Sequence, residues 1–224
     1  NKTVSEAGVL RRDDGKPANL ATTSLLDAWN NEYMKSVRRQ MLKGERPASC
    51  LKCFKEEDAG HRSKRQWETA KWVEELGLED IIGKTEEDGS IPPKVRYIDL
   101  RLGSKCQLAC VMCSPHDSSS WIKEYKQIYP NIKNPRLKNN QIWEKESGKL
   151  AWAGGSYAWH KNNPSFWDEF YTQVPTLKQL YWAGGEALIM KEHYEVLEKI
   201  IELGYAKNIE VRYNSNGIEW EPHL

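Results

Sequence analysis

The feature that most constrains the fold is an alternation of β-rich and helical segments that begins near residue 94. The spacing of apolar residues predicts strands over residues 95–102, 177–183 and 208–213. Helical patterns over 118–129 and 192–203 follow the first two strands. Strands that alternate with helices at these lengths form βαβ units around a parallel sheet. The sequence therefore predicts an α/β fold for this part of the chain.

Each of the three predicted strands runs directly into a sequence of unusual composition. These sequences are Cys106, Cys110 and Cys113 after the first strand, Gly184-Gly185-Glu186 after the second, and Asn214-Ser215-Asn216-Gly217 after the third. In parallel α/β folds, ligands bind at the carboxyl ends of the strands. The three sequences therefore predict a single site at one edge of one sheet.

The cysteine sequence, with the spacing C-x3-C-x2-C, is the strongest chemical signal in the chain. Three cysteines this close together cannot all pair with one another as disulfides. A structural zinc site takes four protein ligands, and no fourth Cys or His stands at close spacing. A [4Fe-4S] cluster held by three thiolates, with one iron lacking a protein ligand, suits the spacing better.

Composition narrows the classes of function. The 33 Lys and Arg residues nearly balance the 32 Asp and Glu residues, which argues against a protein that binds a nucleic-acid backbone. No apolar run approaches the roughly 20 residues of a membrane span. Five cysteines grouped as a pair and a trio favour metal ligation in a reducing compartment, so we expect a cytoplasmic protein. The chain opens without an initiating Met, and we expect it to be a fragment of a longer protein.

The first part of the chain is predicted to be mainly helical. Apolar residues at three-to-four spacing predict one helix over residues 24–42, which begins at a serine cap, and another over 63–76. The second helix is expected to bury Trp67 and to stop at Gly77. Residues 83–93 have the composition of a linker, so we expect a domain boundary there.

The order and strand-end placement of the three sequences resemble the radical S-adenosylmethionine (radical SAM) superfamily. The resemblance covers residues 94–217 and implies that the domain of residues 94–224 is the first half of a partial (β/α)6 barrel. It implies that Cys106, Cys110 and Cys113 hold a [4Fe-4S] cluster at which SAM is reductively cleaved. The resulting 5′-deoxyadenosyl radical abstracts hydrogen from a substrate. An external electron donor such as flavodoxin or ferredoxin is implied as well.

The glycine sequence has a physical role beside the resemblance. Gly184 and Gly185 allow the backbone to come close to a ligand, and the carboxylate of Glu186 can accept a hydrogen bond from an ammonium group. The resemblance implies that these residues hold the amino group of SAM. Family members usually have Pro after the glutamate, and Ala187 stands there in this chain.

The resemblance implies further contacts with SAM. Asn214 and Ser215 are expected to contact its polar groups. An aromatic residue is usual just before the third cysteine, near the adenine; Met112 occupies that position and can offer a soft apolar contact.

The pair Cys50 and Cys53 follows the first predicted helix in a C-x2-C arrangement. Residues 1–91 resemble a SPASM or twitch accessory module, in which such a pair helps to ligate an auxiliary Fe-S cluster. These modules usually bring further cysteines from a preceding segment, and no cysteine precedes Cys50. Two interpretations stay open: metal ligation, and two buried or reactive thiols. SPASM-like relatives suggest a peptide as the substrate.

Two other functions also stay open at this stage. An iron-sulfur electron carrier would explain the cysteines but not the glycine and asparagine sequences. A zinc-stabilised interaction module could use Cys50, Cys53 and part of the trio. The five histidines follow no partner pattern and are expected to be surface or structural residues. Five of the ten tryptophans lie between residues 143 and 182, where they could form a local core or line a substrate channel.

Overall fold

The computed structural model describes residues 10–18, 20, 23–134, 142–143, 150–151 and 159–219. The described residues form two compact units. The first unit contains the described residues up to Pro93, except Leu20. The second unit contains Leu20 and the described residues from Lys94 onward.

Five α-helices make up most of the described part of the first unit. They are α1 (Leu25–Trp29), α2 (Glu32–Leu42), α3 (Leu51–Asp58), α4 (Lys64–Leu76) and α5 (Leu78–Ile82). A 3-10 turn, Ala48–Cys50, leads into α3.

The single helix predicted over residues 24–42 is wrong, because the chain breaks into α1 and α2. Ser24 caps α1 as expected, but the Asn31 side chain accepts a hydrogen bond from Met34 N–H and starts a second helix. The amide of Asn30 bonds both backbone groups of Ile91, at 2.9 and 3.1 Å. Two asparagines that serve as a cap and as a long-range bridge therefore interrupt the helical pattern.

Helix α4 agrees with its predicted bounds but not with its predicted buried face. Ser63 caps it in a capping box with Gln66, and Gly77 ends it. Trp67, expected to be buried, is 58% exposed, and the Arg62 guanidinium lies 3.6 Å from the centre of its ring. Stacking by a neighbouring cation replaces the expected core contact.

Residues 83–93, predicted as a linker by composition, contain a turn that packs on α2. Gly89 has a φ of +84°, and a β-carbon there would collide with the Lys35 carbonyl. The Lys35 ammonium lies 2.9 Å from the Asp88 carboxylate, and this contact helps to hold the pKa of Asp88 below its ordinary value, after the hydrogen bond from the Ser90 side chain. The boundary between the two units follows this turn.

The second unit is mixed α/β. Its strands are β1 (Tyr97–Leu100), β2 (Ile142–Trp143), β3 (Leu150–Ala151), β4 (Gln179–Trp182) and β5 (Glu210–Tyr213), and its helices are α6 (Ile122–Ile128), α7 (Trp159–Asn162), α8 (Pro164–Gln173) and α9 (Lys191–Glu202). Strands β1, β4 and β5 form a parallel sheet in the order β1-β4-β5, while β2 and β3 pair antiparallel. The predicted parallel sheet is confirmed. In the described residues it is an open three-stranded sheet and not a closed barrel.

The two faces of the parallel sheet carry different kinds of side chains. One face carries the fully buried Leu180 and Trp182, and Trp182 packs edge-to-face on His193 of α9. Helix α9 buries His193, Val196 and Ile200, while Ile201 is 54% exposed. Parallel strands in register place residues of the same face side by side. The opposite face therefore carries a row made by Asp99, Tyr181 and Arg212.

The described tryptophan side chains between residues 143 and 182 contribute to packing. Trp159 meets the buried ring of Phe166 edge-to-face at 4.7 Å, and Trp167 meets Phe170 in the same way at 5.7 Å. These ring contacts agree with the local-core interpretation, while Trp167 also lines a cavity together with His160 and Tyr171. Trp152 lies outside the described residues, and only the backbone of Trp143 belongs to them.

None of the helices in the described part of the chain combines the length and apolar character needed to cross a bilayer.

Candidate functional site

The cysteine loop, residues 103–113, leaves the end of β1 and is held by the turn that follows it. The Ser120 hydroxyl donates to the Cys106 carbonyl at 2.7 Å, and the Trp121 indole N–H donates to the Cys110 carbonyl at 2.9 Å. Two more bonds run from Ser119 N–H to the Ser104 carbonyl (2.6 Å) and from the Ser118 hydroxyl to the Leu108 carbonyl (2.5 Å). The loop backbone is therefore fixed at its start, middle and end.

The three thiols of this loop are half-buried and form no disulfide. Burial raises the pKa of Cys113, and the charge of Asp117 and then those of Cys110 and Cys106 raise it further. The sulfurs are thus near enough to influence one another. Among the described residues, no three His, Cys, Asp or Glu side chains stand arranged to hold a metal ion. The donor set of three thiols on one fixed loop nevertheless fits an iron-sulfur cluster.

Gly184 and Gly185 bring the end of β4 against the cysteine loop. Their φ angles are +80° and +65°, and a β-carbon on Gly185 would lie 2.5 Å from the Lys105 carbonyl oxygen. Gly185 N–H donates to the Asp117 carbonyl at 2.9 Å. The glycines were expected to allow a close approach to a ligand, whereas the close approach seen in the described residues is to the protein's own loop.

Glu186 is a buried connector between two strand ends. It is 1% exposed, and one carboxylate oxygen accepts a hydrogen bond from Leu188 N–H at 3.2 Å. The other oxygen accepts from Asn216 N–H at 2.7 Å. The carboxylate predicted to receive an ammonium group therefore already receives two backbone amides.

Asn216 is the residue of the third sequence that reaches the cysteine loop. Its side-chain nitrogen lies 3.7 Å from Cys106 Sγ, and its side-chain oxygen accepts from the Gln107 amide at 3.4 Å and from Ile218 N–H at 3.0 Å. Sequence reasoning placed the contacts on Asn214 and Ser215 and missed Asn216. The signal available was the second asparagine of the same N-S-N-G sequence.

The other residues predicted to contact SAM are Asn214, Ser215 and Met112. Within the described part of the chain, none of them forms a hydrogen bond with the three thiols. Asn214 is exposed, and its backbone N–H donates to the Trp182 carbonyl at 2.8 Å. The Ser215 hydroxyl accepts from Gly217 N–H at 2.9 Å. Met112 is 87% exposed at the tip of the cysteine loop. Asn214 and Ser215 therefore stand exposed at the end of β5, and Met112 is exposed in the cysteine loop.

His193 supports this edge from the helical side of the sheet. Its Nε2 lies 2.9 Å from the Tyr213 hydroxyl, and burial lowers its pKa to about 4, against the opposing charge of Glu186. The imidazole is therefore neutral at pH 7, and a single hydrogen bond joins its Nε2 to the phenol of Tyr213. This agrees with a structural role for the histidine.

Cys50 and Cys53 belong to the first unit. Cys50 is the residue that precedes α3, and Cys53 lies in the first turn of that helix. Both are half-buried and outside disulfides. No third ligand joins them in the described residues, so an auxiliary cluster stays a prediction.

Comparisons with protein-family models, with curated proteins and with solved structures found no match to this chain.

Proposed function

We propose that the chain is a radical SAM enzyme whose α/β unit is part of a (β/α)6 barrel. The observation that carries the proposal is a closed ring of contacts among the three strand-end sequences. Glu186 N–H donates to the Lys105 carbonyl at 2.7 Å. Asn216 N–H donates to the Glu186 carboxylate at 2.7 Å, and the Asn216 amide reaches Cys106 Sγ at 3.7 Å. A metal-binding loop tied in this way to two neighbouring strands is suited to precise placement of a reactive centre.

In this proposal Cys106, Cys110 and Cys113 hold the [4Fe-4S] cluster. When bound, the cluster would supply the electron for reductive cleavage of SAM, the chemistry by which hydrogen would be removed from the substrate. The protein contributes position, because the loop carbonyls are held by hydrogen bonds. The Asn216 amide donates toward a ligand sulfur, and such outer contacts tune the electronics of a metal site.

The residues around the edge would receive SAM. Gly184, Asn214 and Ser215 offer polar groups at the ends of two adjacent strands, and the exposed Met112 offers an apolar contact for the adenine. We assign Glu186 mainly a positioning role, since both its oxygens already accept backbone hydrogen bonds. Each carboxylate oxygen has a second lone pair, so an ammonium group at the edge can share this carboxylate.

The substrate and the electron donor complete the proposal. A peptide is the first substrate class to test, and the sheet face that carries Asp99, Tyr181 and Arg212 offers charged and phenolic groups for polar contacts. A flavodoxin or ferredoxin would supply the electron. The first unit would serve as the SPASM- or twitch-like accessory module.

The test is reductive cleavage of SAM by protein reconstituted anaerobically with iron and sulfide. We expect 5′-deoxyadenosine to form under dithionite, with about four iron atoms per chain held by the trio. Cys106→Ser, Cys110→Ser and Cys113→Ser should each abolish both signals. Cys53→Ser serves as the matched control and should retain both. Unchanged iron and product in the trio variants would refute the proposal.

An iron-sulfur electron carrier is the second candidate, and the burial of Glu186 is the observation that favours it. A carboxylate whose role is to connect two strand ends can serve that role in a protein that does not bind SAM. Equilibrium binding of SAM to the reconstituted protein separates the two functions. Metal analysis that finds zinc without iron or sulfide would instead indicate a zinc-stabilised interaction module.

A further inference from the structure

The pair Cys50 and Cys53 has the geometry of a dithiol at the start of a helix. Cys50 ends the 3-10 turn and immediately precedes α3, while Cys53 is the third residue of that helix. Helix geometry places residues three apart at a Cα separation of about 5 Å. A disulfide accepts Cα separations of about 4.4 to 6.8 Å. The pair can therefore close a disulfide without unwinding the helix.

The Arg65 guanidinium is held against α3 by a carboxylate of that helix. Arg65 donates to the Glu57 carboxylate through two nitrogens, at 2.6 and 3.1 Å, and the Ser63 hydroxyl donates to the same carboxylate at 2.5 Å. The pKa of Arg65 is raised, first by its hydrogen bond with Glu57 and then in part by the charges of Cys50 and Cys53. The arginine is therefore held within electrostatic reach of both thiols.

A second guanidinium helps to keep this arrangement in place. Arg46 and Arg65 lie over the buried ring of Phe54 at 5.0 and 4.8 Å from its centre. Phe54 follows Cys53 directly, so the cations are anchored to the same turn of α3 that carries the thiols. Both thiols and both cations therefore belong to the same short part of the fold, where a thiol exchange would take place.

We propose that Cys50 and Cys53 form a redox-active dithiol that closes to a disulfide by exchange with a small-molecule disulfide such as oxidised glutathione. Cys50 thiolate attacks one sulfur of that disulfide, a mixed disulfide forms and one thiol leaves. Cys53 thiolate then attacks Cys50 Sγ, the Cys50–Cys53 bond forms and the second thiol leaves. Two electrons pass from the protein to the small molecule, and the two cysteine protons leave with the two thiols. The proposal does not depend on SAM chemistry.

The first test is peptide mapping of the full chain after exposure to oxidised glutathione and alkylation. Trypsin cuts after Lys52, between the two cysteines, so residues 44–52 and 53–55 separate unless a disulfide joins them. We expect the two peptides to remain linked after oxidation and to separate after reduction. Separate glutathione adducts on both peptides would overturn the proposal.

Single variants identify the order of attack. In Cys53→Ser, we expect a stable glutathione adduct on Cys50, because no second thiol is present to resolve it. In Cys50→Ser, we expect the adduct on Cys53 to form more slowly. Equal rates at both positions, matching those of a denatured control, would contradict a built redox site.

The role of Arg65 has its own matched set of variants. Arg65→Gln should slow exchange by about two- to five-fold, the size expected for one neighbouring charge. Arg65→Lys should restore most of the rate, and Arg62→Gln, which alters a cation stacked on Trp67, should leave it unchanged. A rate unaffected by Arg65→Gln would contradict the assigned role of the guanidinium.

Iron stoichiometry separates the dithiol from an auxiliary cluster. After reconstitution, the chain should hold about four iron atoms if only the trio binds a cluster, and about eight if the pair helps to bind another. The variant with all three trio cysteines changed to Ser should hold none. Iron that remains in that variant and is lost with Cys50→Ser would overturn the proposal in favour of cluster ligation.

Discussion

The two cysteine groups are supported in opposite ways. The trio depends on contacts from distant parts of the sequence, such as Asn216, which lies 110 positions from Cys106. The pair lies at the start of α3, where the nearby contacts are local: Arg65 binds Glu57 only eight positions away. A site built from the ends of several strands exists only when the sheet is formed. A site built at the start of one helix needs far less of the fold, so changes at the sheet edge should affect the trio and spare the pair.

The largest expected effect comes from Gly185→Ala. A β-carbon there meets the Lys105 carbonyl at 2.5 Å, and the φ of +65° is unfavourable for alanine. We expect the free energy of unfolding to fall by about 2 to 5 kcal/mol, from the backbone cost and the collision together. Denaturant unfolding measures the change, and thiol exchange at Cys50 and Cys53 should stay the same.

Gly217→Ala is the matched control for that change. Gly217 has nearly the same φ, +64°, but a β-carbon there meets no atom within 4 Å. Only the backbone cost of about 1 to 2 kcal/mol should appear. Equal destabilisation by the two substitutions would show that contact with the cysteine loop does not explain the glycine at 185.

Acid should weaken the sheet edge through His193. Its pKa falls from an ordinary value near 6.5 to about 4 on folding, so the unfolded state binds more protons between these pH values. The stabilising contribution is complete above pH 6.5 and is lost as the pH falls toward 4, up to about 3 kcal/mol. Unfolding measured across this pH range should show a smaller slope in His193→Gln. A wild-type slope in His193→Gln would contradict the prediction.

Glu186→Gln tests the connector between β4 and β5. The glutamine side chain has one oxygen that can still accept a hydrogen bond from a backbone N–H. Its NH2 group must face the other backbone N–H, so one of the two charge-assisted hydrogen bonds is lost. We expect a loss of about 2 kcal/mol in unfolding free energy, together with lower iron retention by the trio. The exposed Glu202→Gln, which alters a surface pair with Lys199, should change stability by less than about 0.5 kcal/mol.

Asn216→Ala should produce the smallest change in stability and a specific change at the cluster. Loss of the side-chain bonds to Gln107 and Ile218 should cost about 1 kcal/mol. Loss of the donor toward Cys106 Sγ should lower the reduction potential of a bound cluster, because an N–H near sulfur favours the more negative reduced state. Asn214→Ala is the control. An identical potential in both variants would show that the contact has no electronic role.

Much of the local structure could be predicted from the sequence, because local rules decide it. Ser24 caps a helix as expected, and the three parallel strands lie near their predicted positions. The order of the strand-end sequences was enough to predict their meeting at one edge, because parallel strands share their direction.

The failures share a physical cause, which is contact between residues far apart in sequence. The bond between Asn30 and Ile91 accompanies the break in a helical pattern that looks continuous. Glu186 could be recognised as an acceptor, but its donor Asn216 lies 30 positions away. Periodicity and motif spacing carry no information about such partners.

The most direct test of the central claim is electron paramagnetic resonance of the reconstituted, reduced protein with and without SAM. The account predicts a cluster signal that SAM alters, because three cysteines would hold a [4Fe-4S] cluster and would leave one iron without a protein ligand. Cys110→Ser should lack the signal, and Cys53→Ser should retain it with its response to SAM. A cluster signal that saturating SAM leaves unchanged would contradict the account.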